Sequence, residues 1–110
     1  MSDDALRRLA EVIHARRTAD ADSSYTRRLL DGGAERCAKK LGEEAVELII
    51  AAAAEDDASV KAEAADLLYH LIVLLEARGI ALDGVLRELE GRMGTSGLEE
   101  KAGRADRTKP

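Results

Sequence analysis

Apolar residues recur along most of the chain at the three-to-four-residue spacing of an amphipathic helix. Leu6, Leu9, Ala10 and Ile13 mark the stripe of a first helix, predicted over residues 4–17. Residues 18–24 are small and polar and read as a loop. Ser24 is placed to cap a short helix over 25–31, which Gly32-Gly33 ends. A third helix is predicted over 34–55. Asp56-Asp57 breaks it, and Asp57 or Ser59 can cap a fourth helix over 58–78, stopped by Gly79. A fifth covers 82–93. Ser96 and Glu99 have the spacing of a capping box that opens one more turn. No repeat or linker interrupts the pattern, so residues 1–110 read as a single domain.

The two central helices lack the broad polar face of a surface helix. On a wheel at about 100° per residue, Glu63, Asp66 and His70 share one narrow arc, and nearly everything else from Ala62 to Leu75 is apolar. Such a helix is expected to be buried nearly all round. The third helix is similar: Lys40, Glu43, Glu44 and Glu47 share an arc, while Leu41, Ala45, Val46, Leu48, Ile49, Ala52 and Ala53 cover most of the rest. A short connection makes the two helices antiparallel neighbours. Leu68, Ile72 and Leu75 form a further strip at helix–helix spacing, and leaving it bare would create a patch that monomers avoid. An all-α bundle completed by a homodimer is therefore expected.

Composition and charge narrow the function classes. Hydrophobic residues make up 45% and charged ones 35%, with no Phe or Trp, so neither a disordered chain nor a many-stranded barrel fits. The net charge of −5 argues against a general nucleic-acid surface. The most apolar stretch is too short and too acidic to span a bilayer. Cys37 is alone, so it can form no internal disulfide, and it is expected in the apolar seam as inert core. The opening Met1-Ser2-Asp3-Asp4 lacks the blocks of a signal peptide, and a cytoplasmic location is expected.

If the acidic arcs of the third and fourth helices face each other, Glu44, Glu47, Glu63 and Asp66 converge. Four carboxylates at close range repel one another, and a bound cation reverses that balance. Oxygen-only ligands suit a hard ion, Mg²⁺ or Mn²⁺, which shares its shell with substrate phosphates. For any single acid, a solvated face or an i,i+4 pair such as Lys39–Glu43 or Lys40–Glu44 is the simpler explanation. That explanation is weaker for the whole constellation, because the fourth helix has so little polar face.

These residues also resemble a known family. Glu43-Glu44-Ala45-Val46-Glu47 reads as E-E-x-x-E and Glu63-Ala64-Ala65-Asp66 as E-x-x-D, similar to the metal signature of the MazG-like all-α nucleotide pyrophosphohydrolases. Ser24-Tyr25-Thr26, the run from Lys39 to Glu47, and Asp66-Leu67-Leu68-Tyr69-His70 resemble segments of the phosphoribosyl-ATP pyrophosphohydrolases of histidine biosynthesis. Arg92 and the stretch from Ser96 to Arg104 fit as well, so the likeness covers residues 6–104. The tail at 105–110 carries no family motif and is expected to be basic and flexible.

The resemblance implies hydrolysis of 1-(5-phosphoribosyl)-ATP to 1-(5-phosphoribosyl)-AMP and pyrophosphate by metal-activated water, with Mg²⁺ on Glu44, Glu47, Glu63 and Asp66. Glu43 would serve a second ion, hold a water or pair with Lys39. Tyr25, Lys39, Lys40, Arg92, Lys101 and Arg104 are the candidate substrate contacts, each weighed against core packing, charge compensation or simple solvation. Arg27 and Arg28 are expected as solvated surface residues, and His70 as a supporting or core residue. A house-cleaning nucleoside triphosphate pyrophosphohydrolase is the competing enzyme, and a non-catalytic dimerisation module the competing binding role. A di-iron carboxylate bundle is disfavoured, because His70 lies four residues after Asp66 rather than three after a glutamate.

Overall fold

The computed structural model describes residues 4–93. Five α-helices follow in order: α1 (Asp4–Ala15), α2 (Tyr25–Asp31), α3 (Gly33–Ala54), α4 (Asp57–Ala77) and α5 (Leu82–Arg92), with a 3-10 turn over Arg16–Thr18 after α1. The fold is all-α, with no strand among the described residues. No helix there is long and apolar enough to cross a membrane. The capping-box residues Ser96 and Glu99 lie outside the described residues, as does the tail.

Local chemistry sets the boundaries. The Ser24 hydroxyl accepts from the Arg27 N–H at 3.1 Å and opens α2. Asp56, not Asp57 or Ser59, caps α4: its backbone is extended and its carboxylate accepts from the Ser59 N–H at 2.9 Å. The preceding aspartate wins because it stands three residues before the N–H left unpaired by the first turn. Gly33 (φ 84°) and Gly79 (φ 71°) take the left-handed conformation where the chain leaves α2 and α4.

α3 and α4 form an antiparallel hairpin that is the spine of the molecule, with α1 and α2 laid against one end of it. The core lies at that end: Ile13 from α1, Leu29 from α2, Cys37 from α3, and Ile72 and Val73 from α4. The expected stripe of α1 turns inward, since Leu6, Leu9 and Ala10 pack against this cluster. The Cys37 Sγ donates to the Leu29 carbonyl, and burial pushes its thiol pKa up, so it is an unreactive core residue.

Among the described residues, nothing covers the other half of the hairpin. Val46, Ile49 and Ile50 on α3 are 54%, 66% and 53% exposed, and Leu68 on α4 is also exposed. This corrects the sequence expectation in two ways. α4 is not buried all round by the described residues, and Ile72 is no seam residue, being 4% exposed inside the core. α1 and α2 cover the strip through Ile72; the uncovered apolar strip runs along α3.

Candidate metal centre and adjoining groove

The acidic arcs of α3 and α4 face each other. Glu44, Glu63 and Asp66 each bring a carboxylate oxygen within 4.8 Å of the others. The three differ in burial: Glu44 is buried, Glu63 half-buried and Asp66 exposed. The cluster therefore opens to solvent on one side and is closed by the hairpin on the other. Glu63 Oε2 is wholly buried with no hydrogen-bond partner among the described residues. A buried carboxylate oxygen normally finds a donor, and its absence here is costly. Burial first, then the charges of Glu47, Asp66 and Glu44, raise the Glu63 carboxyl above its ordinary value. Glu47 is thus electrostatically part of the cluster, although it stands on the exposed side.

Such an arrangement fits a divalent cation. A positive ion would supply the orphaned Glu63 oxygen with a partner and turn mutual repulsion into attraction. All-oxygen donors of this kind suit hard ions.

Beside the carboxylates lies a groove of about 710 Å³ between α2 and α3, whose lining includes Tyr25, Lys39, Lys40 and Glu43. The Lys40 ammonium lies 3.6 Å from Glu44, joining the groove to the acidic cluster. Tyr25, Glu43 and Glu44 hold that ammonium above its ordinary value against the opposing effect of burial. The Lys39–Glu43 pair considered from sequence does not form. Glu43 is exposed at the groove rather than within the three-carboxylate group.

His70 ties the cluster to α2. One turn after Asp66, it is buried, and its Nδ1 lies 2.8 Å from the Asp66 carbonyl. A carbonyl only accepts, so Nδ1 carries the proton and Nε2 accepts from the Tyr25 hydroxyl at 3.3 Å. Tyr69 stands edge-on to His70 with ring centroids 4.9 Å apart and shares a hydrogen bond with Thr26. His70 therefore supports the α2–α4 junction and does not join the carboxylate group. Tyr25 bonds inward through its hydroxyl, and the residue is 47% exposed at the groove.

The remaining candidates fall elsewhere. Arg92 sits at the far end of α5, 3.5 Å from Glu88, and does not line the groove. Lys101 and Arg104 lie outside the described residues. Arg27, expected as a solvated residue, is instead held by Asp31 and the Ala19 carbonyl and anchors the loop before α2. Sequence reasoning missed Arg36, which lines the groove. Its signal was the spacing Arg36–Lys40–Glu44, a single stripe on α3 at intervals of four residues.

Comparison with known proteins identifies similar chains. Residues 6–93 match the model of the family described as phosphoribosyl-ATP pyrophosphohydrolase. A protein of Bradyrhizobium diazoefficiens named phosphoribosyl-ATP pyrophosphatase 1 is 60% identical over 98 residues, covering 89% of this chain and 92% of that protein. Phosphoribosyl-ATP pyrophosphatases of Cereibacter sphaeroides and Rhodobacter capsulatus are 58% and 57% identical. These matches cover 90% and 91% of this chain, and 96% and 97% of the respective relatives.

Proposed function

Because the chain belongs to the phosphoribosyl-ATP pyrophosphohydrolase family, we propose that it hydrolyses 1-(5-phosphoribosyl)-ATP to 1-(5-phosphoribosyl)-AMP and pyrophosphate, in the second step of histidine biosynthesis. The bond between the α- and β-phosphates breaks. The oxygen of one water ends on one phosphorus, the bridging oxygen stays with the other, and a proton is released. One observation carries the reading: three carboxylates converge where a buried Glu63 oxygen has no partner, and Lys40 of the adjoining groove pairs with one of them.

Glu44, Glu63 and Asp66, with Glu47 beside Glu63, are the proposed ligands of Mg²⁺. When bound, the ion supplies charge neutralisation for the phosphates and acidification of water. The chain does the positioning. Lys40, bonded to Glu44, meets the phosphates next to the scissile bond, and Lys39 lines the groove as a further substrate contact. Tyr25 offers an exposed ring face for the adenine, held in place by His70. Glu43 faces the groove, where a carboxylate can orient a water or take its proton. The proposed catalytic domain is residues 4–104, followed by a basic tail, and the proposed location is the cytoplasm.

The proposed working form is a homodimer. The bare strip of Val46, Ile49 and Ile50 has helix-seam spacing, and Leu68 on the neighbouring α4 is exposed as well. A two-fold partner would cover the same strip on both copies.

The test is incubation of the purified protein with phosphoribosyl-ATP, with Mg²⁺ or with EDTA, and identification of the products. Mg²⁺-dependent pyrophosphate is expected. Orthophosphate as the product, or undiminished turnover in EDTA, would contradict the reading.

A further inference from the structure

The geometry points to Arg36 as the residue that recognises the 5′-phosphate of the added ribose, and so distinguishes phosphoribosyl-ATP from ordinary nucleoside triphosphates. The inference rests on the activity proposed above and concerns the far end of the groove.

Arg36, Lys40 and Glu44 lie on one stripe of α3, and eight residues at about 1.5 Å each place Arg36 roughly 12 Å along the axis from Glu44. Its side chain runs further away still, because it lies over Gly32, one turn towards the N-terminus. A Cβ on Gly32 would stand 2.5 Å from the Arg36 Cδ and 3.2 Å from its Cβ and Cγ, so the glycine is the space in which the arginine stem rests. Among the described residues, neither Arg36 nor Lys39 pairs with a carboxylate, whereas Lys40 is held by Glu44. The groove thus has one cation committed to the carboxylate end and two uncommitted cations beyond it, with Glu35 and Glu43 as the acids on its walls.

The substrate has the same layout. Its α- and β-phosphates flank the scissile bond, and the departing β- and γ-phosphates belong near Lys40. Its remaining phosphate is separated from the α-phosphate by two riboses and the adenine, and needs cations at a distance. An arginine fork matches a terminal phosphate dianion, and Lys39 supplies the second charge. A groove of about 710 Å³ has the capacity for a base and a sugar phosphate. Tyr25 lies on its wall for the adenine between these ends.

The experiment measures the KM for phosphoribosyl-ATP and the inhibition constant of ATP, which has the triphosphate but not the second ribose phosphate. Wild type, Arg36→Ala, Arg36→Lys and Gly32→Ala are compared, with helical circular dichroism as the folding control. Arg36→Ala should raise the KM about ten- to a hundredfold, the loss of a charge-assisted pair, and leave ATP inhibition within about twofold. Arg36→Lys should recover part of the loss. Gly32 has a right-handed backbone (φ −74°, ψ −12°), so alanine fits the chain but displaces the arginine. Gly32→Ala should therefore shift KM in the same direction with the fold intact. Equal losses for both nucleotides would reassign Arg36 to the triphosphate and overturn the inference, as would an unchanged KM. Failure of the wild type to release pyrophosphate from phosphoribosyl-ATP would instead remove the underlying activity, and the assignment with it.

Discussion

Replacing Ile49 by alanine separates dimer stability from chain stability. Ile49 is 66% exposed on α3, so the single chain gains little from its side chain. Fully burying an isoleucine stabilises by about 1.5–3 kcal/mol, and the part still exposed here carries roughly 1–2 kcal/mol. A two-fold seam contains two copies, and alanine retains a methyl group. The expected loss is therefore roughly 2–3 kcal/mol per dimer, a dissociation constant about 30- to 150-fold weaker. The same substitution leaves the helix itself no worse, because alanine is the better helix former. Ile72→Ala is the contrast. At 4% exposure in the core, it should cost about 2–5 kcal/mol of folding stability at any protein concentration. Sedimentation equilibrium across a concentration series reads the first effect, and thermal melting in dilute solution reads the second. Unchanged self-association in Ile49→Ala, or a folded and fully active wild-type monomer at micromolar concentration, would refute the α3 seam.

Three further outcomes are expected. Asp66→Asn and Glu47→Gln should remove most activity at saturating Mg²⁺ with helical circular dichroism unchanged, and near-normal turnover would remove those residues from the ligand set. Glu63 has its carboxyl held above the ordinary 4.5 by burial and then by Glu47, Asp66 and Glu44. Its stabilising share is therefore complete below that value and is lost as pH climbs through the raised one. In EDTA, the melting temperature of Glu63→Gln should gain on wild type as pH rises through this window, a gain that saturating Mg²⁺ cancels. A pH-independent difference would contradict the crowding of carboxylates. Glu76 behaves oppositely: burial raises its pKa, but hydrogen bonds from Arg17 and His14 outweigh this and hold it below 4.5. Glu76→Gln should cost under about 1 kcal/mol at neutral pH, because the pair is partly screened. The deficit should shrink as acid protonates the wild-type carboxylate, and an equal deficit at both pH values in thermal melts would contradict it.

Much of this architecture is legible in the sequence because helical periodicity reports local structure directly. The wheel places Glu63, Asp66 and His70 on one arc, and the hydrogen bond from the His70 ring to the Asp66 carbonyl follows from that spacing. What failed depends on distant partners. The sequence pattern offers Asp57 or Ser59 as the cap of α4, and the extended backbone at Asp56 selects that residue instead. An apolar helix shows several candidate strips, but not which of them its own chain covers; α1 and α2 took the one through Ile72. The position of Arg36 depends on Gly32 at the α2–α3 junction, a contact that no helical wheel of α3 alone contains.

The central claim is that this groove and its carboxylates act on the phosphoribosyl adduct rather than on free nucleotides. Parallel measurement of kcat/KM for phosphoribosyl-ATP and for a panel of ordinary and damaged nucleoside triphosphates, with Mg²⁺ and pyrophosphate detection, tests it most directly. The account predicts a clear preference for phosphoribosyl-ATP with pyrophosphate as the only phosphorus-containing leaving group. Faster turnover of any free nucleoside triphosphate would contradict it.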